Sequence, residues 1–443
     1  MQMALPSETA HFILPTRGGS HEVQRLCAEA LILHKYSAMS SSPNQNHGDR
    51  TASQSQSSPH PRESSVQTPA PNFKEHEVAE DERPLLLEWL NTGLRSGRSR
   101  RLEAEFPTAL SSDGESPATD QHVLLKDANG RFVSHALIHT LQVTALDKTI
   151  SLGMIGMVYT DPAYREMGAA SKTLAAATAR LKNQGTSLAI LWSDLDGFYQ
   201  RNGFYRAGVE NFYLLNPTLC RSARSETAGD LTVRDALPND WPDLETFYAN
   251  KPSRALRTPG SLRRLASAPE CKTVVATLNG SAVAYASIGR GDDLGGVVHE
   301  WGGSEEGLAE CLHQLSQTHG ELTLLEGPVH ERATRLLRMK GARPHPGTFG
   351  LMRILDADTL WKDLCTDDET LNTMRLEADL DHANTFLFKT KEREFVLSHQ
   401  SALSLLFGPG LPRTLSLGLA QAEREAIGRR LPWPLFIWGF DSI

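Results

Sequence analysis

Tyr164-Arg165-Glu166-Met167-Gly168-Ala169-Ala170 sets a glycine turn between an apolar run and an amphipathic helix, a layout in which bare backbone can bind an anion. The first amides of a helix have no carbonyl ahead of them and stand at the positive end of its dipole. Gly168 lets that backbone approach a phosphate closely, where a Cβ would intrude. Taken alone, such a turn also suits an ordinary helix start. A second group follows at Asp196-Gly197-Phe198-Tyr199-Gln200-Arg201-Asn202-Gly203-Phe204, where a tyrosine hydroxyl stands among aromatic neighbours.

The elements that position these residues are legible on either side. Ile150–Tyr159 (ISLGMIGMVY) reads as a strand closed by the turn Thr160-Asp161-Pro162. Met167, Ala170, Leu174, Ala177 and Leu181 recur on one face of a helix, and Ser187–Trp192 reads as a second buried strand. In this order, strand, glycine turn, helix, strand and aromatic turn resemble the GNAT superfamily of N-acetyltransferases. The family's Arg/Gln-x-x-Gly-x-Gly/Ala loop falls on Arg165, Gly168 and Ala170, and its Phe-Tyr-x-x-x-Gly-Phe segment on Phe198, Tyr199, Gly203 and Phe204. The resemblance is tightest over Thr149–Gly208 and extends over Phe73–Pro217.

That resemblance implies acetyl-CoA as cosubstrate, held at the strand end by Met157, Val158 and Tyr159 and on the loop by Arg165, Glu166, Met167, Gly168, Ala169 and Ala170. Glu166 departs from the small or basic residues common in such loops and is expected to point away from the pyrophosphate. The resemblance also makes Tyr199 the acid that protonates the departing thiolate; packing in the core beside Phe198 and Phe204 is the alternative. Attack requires a neutral nitrogen, and deprotonating an alkylamine at pH 7 costs about 4–5 kcal/mol, so a base or a water relay is needed. Many relatives carry a glutamate on the strand before the loop, yet Ile150–Tyr159 has no acidic residue. Asp194 and Asp196 remain, in a strand-to-helix turn where aspartate is ordinary capping chemistry.

Leu431–Ile443 (LPWPLFIWGFDSI) stays apolar and aromatic to its last residue, which predicts a docked segment, since frayed ends are usually polar. Two tandem acetyltransferase-like units followed by a small α+β domain resemble the enhanced-intracellular-survival type of acetyltransferase, whose last domain is similar to sterol-carrier proteins. In that family the terminal carboxylate enters the first domain's cleft as base, which would give Ile443 a catalytic role. The alternative is a tail packed only on its own domain through Trp433, Phe436 and Trp438.

The sequence predicts an α+β fold in four parts. Residues 1–72 form an N-terminal extension, low in complexity over Ser40–Asn72, with one apolar patch at Leu26–Leu33. Residues 73–217 form the catalytic unit and 231–355 a degenerate copy. Residues 356–443 form the small last domain. In the copy, Gly302-Gly303-Ser304-Glu305-Glu306 puts two carboxylates where a pyrophosphate would lie, so no cofactor is expected there; Glu300 could reach a shared cleft. Cys220–Asp230 reads as a polar linker. Translation could begin at Met1 or Met39.

A net charge of −8 disfavours nucleic acid as partner, and no apolar run is long enough to span a membrane. The five scattered cysteines carry no metal-ligand spacing and fit a reducing, cytoplasmic setting. His135 and His139 stand at i and i+4, but in a strand-like run, so no metal site is expected. Arg95, Arg98, Arg100 and Arg101 with Glu103 and Glu105 read as a solvated, mutually paired face. A homo-oligomer is left open. The resulting expectation is an acetyl-CoA-dependent N-acetyltransferase acting on a small-molecule or protein amine by direct attack in a ternary complex, since the motif region has no cysteine. The alternative is a protein that binds acyl-CoA as a sensor without turnover.

Overall fold

The computed structural model describes residues 72–98, 100–110, 121–224, 231–365 and 368–443. The apolar patch at Leu26–Leu33 and the low-complexity tract up to Pro71 lie outside them. Most of the strands join one 13-stranded mixed sheet. In chain order they are β1 (Lys74–His76), β2 (His122–Lys126), β3 (Phe132–Ala145), β4 (Lys148–Thr160), β5 (Leu188–Leu191) and β6 (Tyr205–Leu215). There follow β7 (Thr232–Asp235), β8 (Ser253–Ala255), β9 (Lys272–Leu278), β10 (Ser281–Ile288), β11 (Val297–Gly303), β12 (Leu322–Glu326) and β13 (His345–Ile354). The spatial order is β1-β2-β3-β4-β5-β13-β6-β12-β11-β10-β9-β7, with β8 pairing on β3. A separate three-stranded sheet holds β14 (Arg375–Ala378), β15 (Thr385–Lys389) and β16 (Glu394–Ser398). The α+β class is as expected.

Each half repeats one plan, a parallel strand pair bridged by a helix. In the first half α2 (Ala169–Asn183) connects β4 to β5, behind α1 (Arg83–Leu94); in the second α3 (Glu305–His319) connects β11 to β12. The halves then exchange strands. β13, from the second half, pairs antiparallel with β5 and with β6, while β6, from the first, pairs with β12. The expected boundary near residue 217 therefore falls between two sequence units whose sheets are interlocked. α4 (His399–Phe407), in the last domain, packs across β6.

The basic cluster corrects the sequence reading. Arg95 is buried rather than solvated and pairs with Glu105 and with Asp293 of the second half. Arg98 and Arg100 reach Asp292, and Arg100 also reaches Glu270. Arg101 pairs with local carboxylates alone, Glu88 and Glu103. Like the strand exchange, this seam fixes the two halves together. The expected linker is helical over Pro217–Ser222, with Cys220 buried; residues 225–230 lie outside the described ones.

The tail crosses this seam. Trp433, Phe436 and Trp438 are each 1% exposed. The Trp433 indole N–H donates to the Ala145 carbonyl of β3, and the Trp438 indole N–H donates to the Ser253 carbonyl of β8. Phe436 packs on Phe349, and Trp438 stands edge-on to Trp301 in β11. Three such rings contribute on the order of 10 kcal/mol of apolar burial, which offsets much of the entropy lost in ordering the segment. Packing on its own domain alone, the alternative reading of this segment, is not what the structure has.

Candidate active site

The site begins with a defect in β4. The ladder between β3 and β4 slips between His135 and Leu137, and Met157 takes φ +50° to absorb the extra residue. Two imidazoles pin this bulge: His135 Nδ1 meets the Met157 carbonyl at 3.0 Å, and His122 Nδ1 meets His135 Nε2 at 2.9 Å. Burial drives His122 down to about 3 and His135 to about 4, so both are neutral and each can serve as donor and acceptor. The bulge ends the pairing with β5, which covers only Leu152–Met154 against Leu188–Ile190. Beyond that point β4 and β5 part, and the residues Met157, Val158 and Tyr159 line the opening side of β4. Tyr159 turns its ring onto Trp89 of α1, with centroids 4.8 Å apart.

The glycine loop follows. Gly168 caps α2 in the left-handed region at φ +79°, and no atom lies within 4 Å of where its Cβ would stand. The space beside the first amides of α2 is thus open, as an anion would require. Arg165, Glu166, Met167 and Gly168 are exposed, Ala169 is buried and Ala170 partly so. Glu166 also has positive φ, +63°, and stands at the surface. The residues fit an acyl-CoA pyrophosphate: backbone donors, an αL glycine and no carboxylate pairing that closes the turn.

Tyr199, on the helix Asp196–Arg201, is 4% exposed and sits edge-on to Phe198 and Phe204, at 5.0 and 6.2 Å. It also shares a hydrogen bond with the Ser193 side chain, and burial pushes its pKa up to about 12, so its proton stays on at neutral pH. Asp196 is committed to Arg206 (Nε···Oδ2 2.8 Å) rather than to capping: the helix that it opens has Leu195 at its N-cap and no side-chain cap.

On the opposite face of β4 from α2, a cavity of ≈ 580 Å³ opens between the halves. Phe106, Leu141, Leu256 and Phe440 give it apolar walls, and His139, Asp441 and Ile443 line it too. The Ile443 carboxyl group lies directly over Gly156 of β4: a Cβ there would come within 2.8 Å of the carboxyl carbon and oxygen. Glycine at 156 is what allows that approach. A carboxyl group thus stands on the strand that carries none of its own.

Residues of the second half hold it there. Arg290 donates to the carbonyls of Gly439 (2.5 Å) and Ser442 (2.8 Å) and to the Ser442 hydroxyl. Arg257, stacked on Tyr248, is clamped between Asp441 and the fully buried Glu300. Tyr248 donates to Asp441 as well, at 2.9 Å. Glu300 is therefore a strut under the tail, bound also by the Tyr285 hydroxyl, and it is not in the cavity wall. Sequence reasoning missed Arg257, Arg290 and Gly156. Gly156 left a trace, a glycine inside an apolar strand; the arginines left none, since their partners are far away in sequence.

The corresponding joint in the second half is built differently. Ser304 caps α3 by accepting from the Gly307 amide, and Glu305 is tied to Arg335 and Arg332. A cavity of ≈ 540 Å³ lies beside Gly302, Gly303 and Ser304, lined by Lys251, His330 and Glu331. Among the described residues no cluster of His, Cys, Asp or Glu could hold a metal ion, and no helix is long and apolar enough to cross a membrane.

Residues 79–207 match the family model described as an acetyltransferase (GNAT) domain. Against curated proteins the sequence has no match. Among solved structures, the fold is similar to a GCN5-related N-acetyltransferase from Anabaena variabilis (TM-score 0.58, 12% identity, 84% of this chain and 100% of that one). It is also similar to a probable N-acyltransferase from Enterococcus faecalis (TM-score 0.57, 14% identity, 83% and 98%). Eis1 from Mycobacterium abscessus aligns with a TM-score of 0.55 at 13% identity, over 84% of this chain and 100% of that one. With its bulged β4, its αL glycine at the start of α2 and its coverage of these proteins end to end, the chain carries a GNAT acetyltransferase domain within the multidomain fold it shares with Eis1.

Proposed function

We propose that the chain is an acetyl-CoA-dependent N-acetyltransferase, moving an acetyl group to an amine by direct attack in a ternary complex. One observation carries the reading: the open anion site at Gly168 and the Ile443 carboxyl group lie on the two sides of the same bulged strand. Acetyl-CoA, when bound, supplies the thioester. The amides of Gly168, Ala169 and Ala170 hold its phosphates, and the freed edge of Met157–Tyr159 aligns its pantetheine arm. Tyr199 keeps its proton for the departing sulfur, and the cavity between the halves admits the amine. The Ile443 carboxyl group faces that amine and stands in for the missing strand glutamate. The sensor alternative draws its support from that missing glutamate, and the nearness of the Ile443 carboxyl group to Gly156 supports the enzyme instead.

The test is release of free thiol from acetyl-CoA in the presence of spermidine, phenethylamine or kanamycin. Amine-dependent release is expected. Tight acetyl-CoA binding without release for any amine would leave a binding protein.

A further inference from the structure

The cavity between the halves joins apolar walls to one carboxyl group placed to meet an incoming ammonium, that of Ile443. We propose that the acceptor is a monoamine with an apolar body, an arylalkyl- or alkylamine, and that Leu141 is the residue that reads this body. The proposal rests on the transferase reading above and adds the acceptor class to it.

The floor of the cavity is β3. The Ile443 carboxyl group lies over Gly156, which stands opposite Leu137, and the pairs His139–Met154 and Leu141–Leu152 follow on the same face. Leu137 and Leu141 are about 13 Å apart along the strand. His139 and Leu141 both line the cavity and are half-buried. An acceptor whose nitrogen meets Ile443 therefore lays its body over His139 and toward Leu141. Burial holds the His139 pKa below its ordinary 6.5, with the Asp441 charge raising it in part, so the ring under that body is uncharged at pH 7. Leu141 leans on the apolar core, and Phe106, Pro107, Leu265 and Phe440 line the same space.

The charges are arranged against a second ammonium. Three guanidinium groups line the cavity, those of Arg257, Arg264 and Arg290, against the carboxyl groups of Glu105, Asp441 and Ile443. Glu105 is sealed from solvent and accepts from Arg95. Asp441 accepts from Arg257 and from the Tyr248 hydroxyl. Of the three carboxyl groups, that of Ile443 is the one left to the acceptor. A polyamine or an aminoglycoside would bring further ammonium groups in among the guanidiniums, losing hydration with no carboxylate to offset it. An apolar body gains by the same burial.

The experiment measures kcat/KM at pH 8 for 4-phenylbutylamine and spermidine, which are similar in length and differ in charge, with kanamycin alongside. Wild type should favour 4-phenylbutylamine over spermidine by at least about tenfold. Leu141→Ala should lower kcat/KM for 4-phenylbutylamine about tenfold, with the loss in KM rather than kcat, because the contact is made equally before and in the transition state. The KM for acetyl-CoA, held on the α2 side of β4, is the control. Leu141→Asp should turn the preference toward spermidine, since it sets a second carboxylate about 13 Å from the first. Melting temperatures establish that the variants are folded; should Leu141→Asp fail to fold, Leu141→Ala and the wild-type preference carry the test. A wild type that favours spermidine or kanamycin, or a folded Leu141→Ala with the wild-type KM for 4-phenylbutylamine, overturns the assignment while leaving the transferase standing. A wild type that releases no thiol with any of the three amines overturns both.

Discussion

At the scale of the residue, Tyr199 answers to two demands at once, and they can be separated. Its ring is packed by Phe198 and Phe204, and its hydroxyl meets Ser193. Tyr199→Phe keeps the ring contacts and removes only the hydroxyl. Turnover should fall at least about tenfold if that hydroxyl delivers a proton to sulfur, with little change in melting temperature. Unchanged turnover, with chemistry rate-limiting, would reduce Tyr199 to a packing residue. Tyr199 and Gly168 could both be read from sequence because each is fixed by its neighbours along the chain: one short turn, one helix start. His139 was legible only as half of an i, i+4 pair. In a strand that spacing separates side chains by about 13 Å, so the two histidines serve different places, His135 under the bulge and His139 in the cavity.

At the scale of the element, β6 shows what the strand exchange demands of a sequence. Glu210 lies on this strand opposite Gly347 of β13, only 4% exposed, and burial raises its pKa from 4.5 to about 8. A carboxyl group whose folded pKa exceeds its unfolded one stabilises the fold fully below about 4.5. That contribution is lost as pH rises through about 8. Thermal melts should therefore show stability declining up to about pH 8 and levelling above it, and Glu210→Gln should flatten the decline. The buried histidines, with pKa values lowered from 6.5, add their own loss only on the acid side of that window. An equal slope in the variant would place the titration elsewhere. The strands themselves were legible from alternation and turn signals; that β13 belongs between β5 and β6 was not, because register across more than a hundred residues leaves no local mark. The arginine cluster failed for the same reason. Its carboxylate partners, Asp292 and Asp293, stand nearly two hundred positions along the chain.

For the whole molecule, the tail links all the parts. It bonds to β3 through Trp433, to β8 through Trp438, to the second half through Arg257 and Arg290, and it ends over Gly156. Adding a few glycines after Ile443 leaves every packing residue in place and moves only the carboxyl group. Turnover should collapse while the melting temperature holds; an extended protein with wild-type turnover would exclude that group from the chemistry.

The exchange of β6 and β13 has a consequence for how the chain can be divided. A fragment ending after β6 would have an empty slot between β5 and β6, bordered by two rows of unpaired amides and carbonyls, the kind of open border that recruits other chains. The catalytic unit marked out by its motifs is thus not one that can be excised. Conversely, a chain cut between β6 and β7 remains threaded through itself: each piece supplies a rung that the other lacks, and the two halves behave as a clasp rather than as beads on a string.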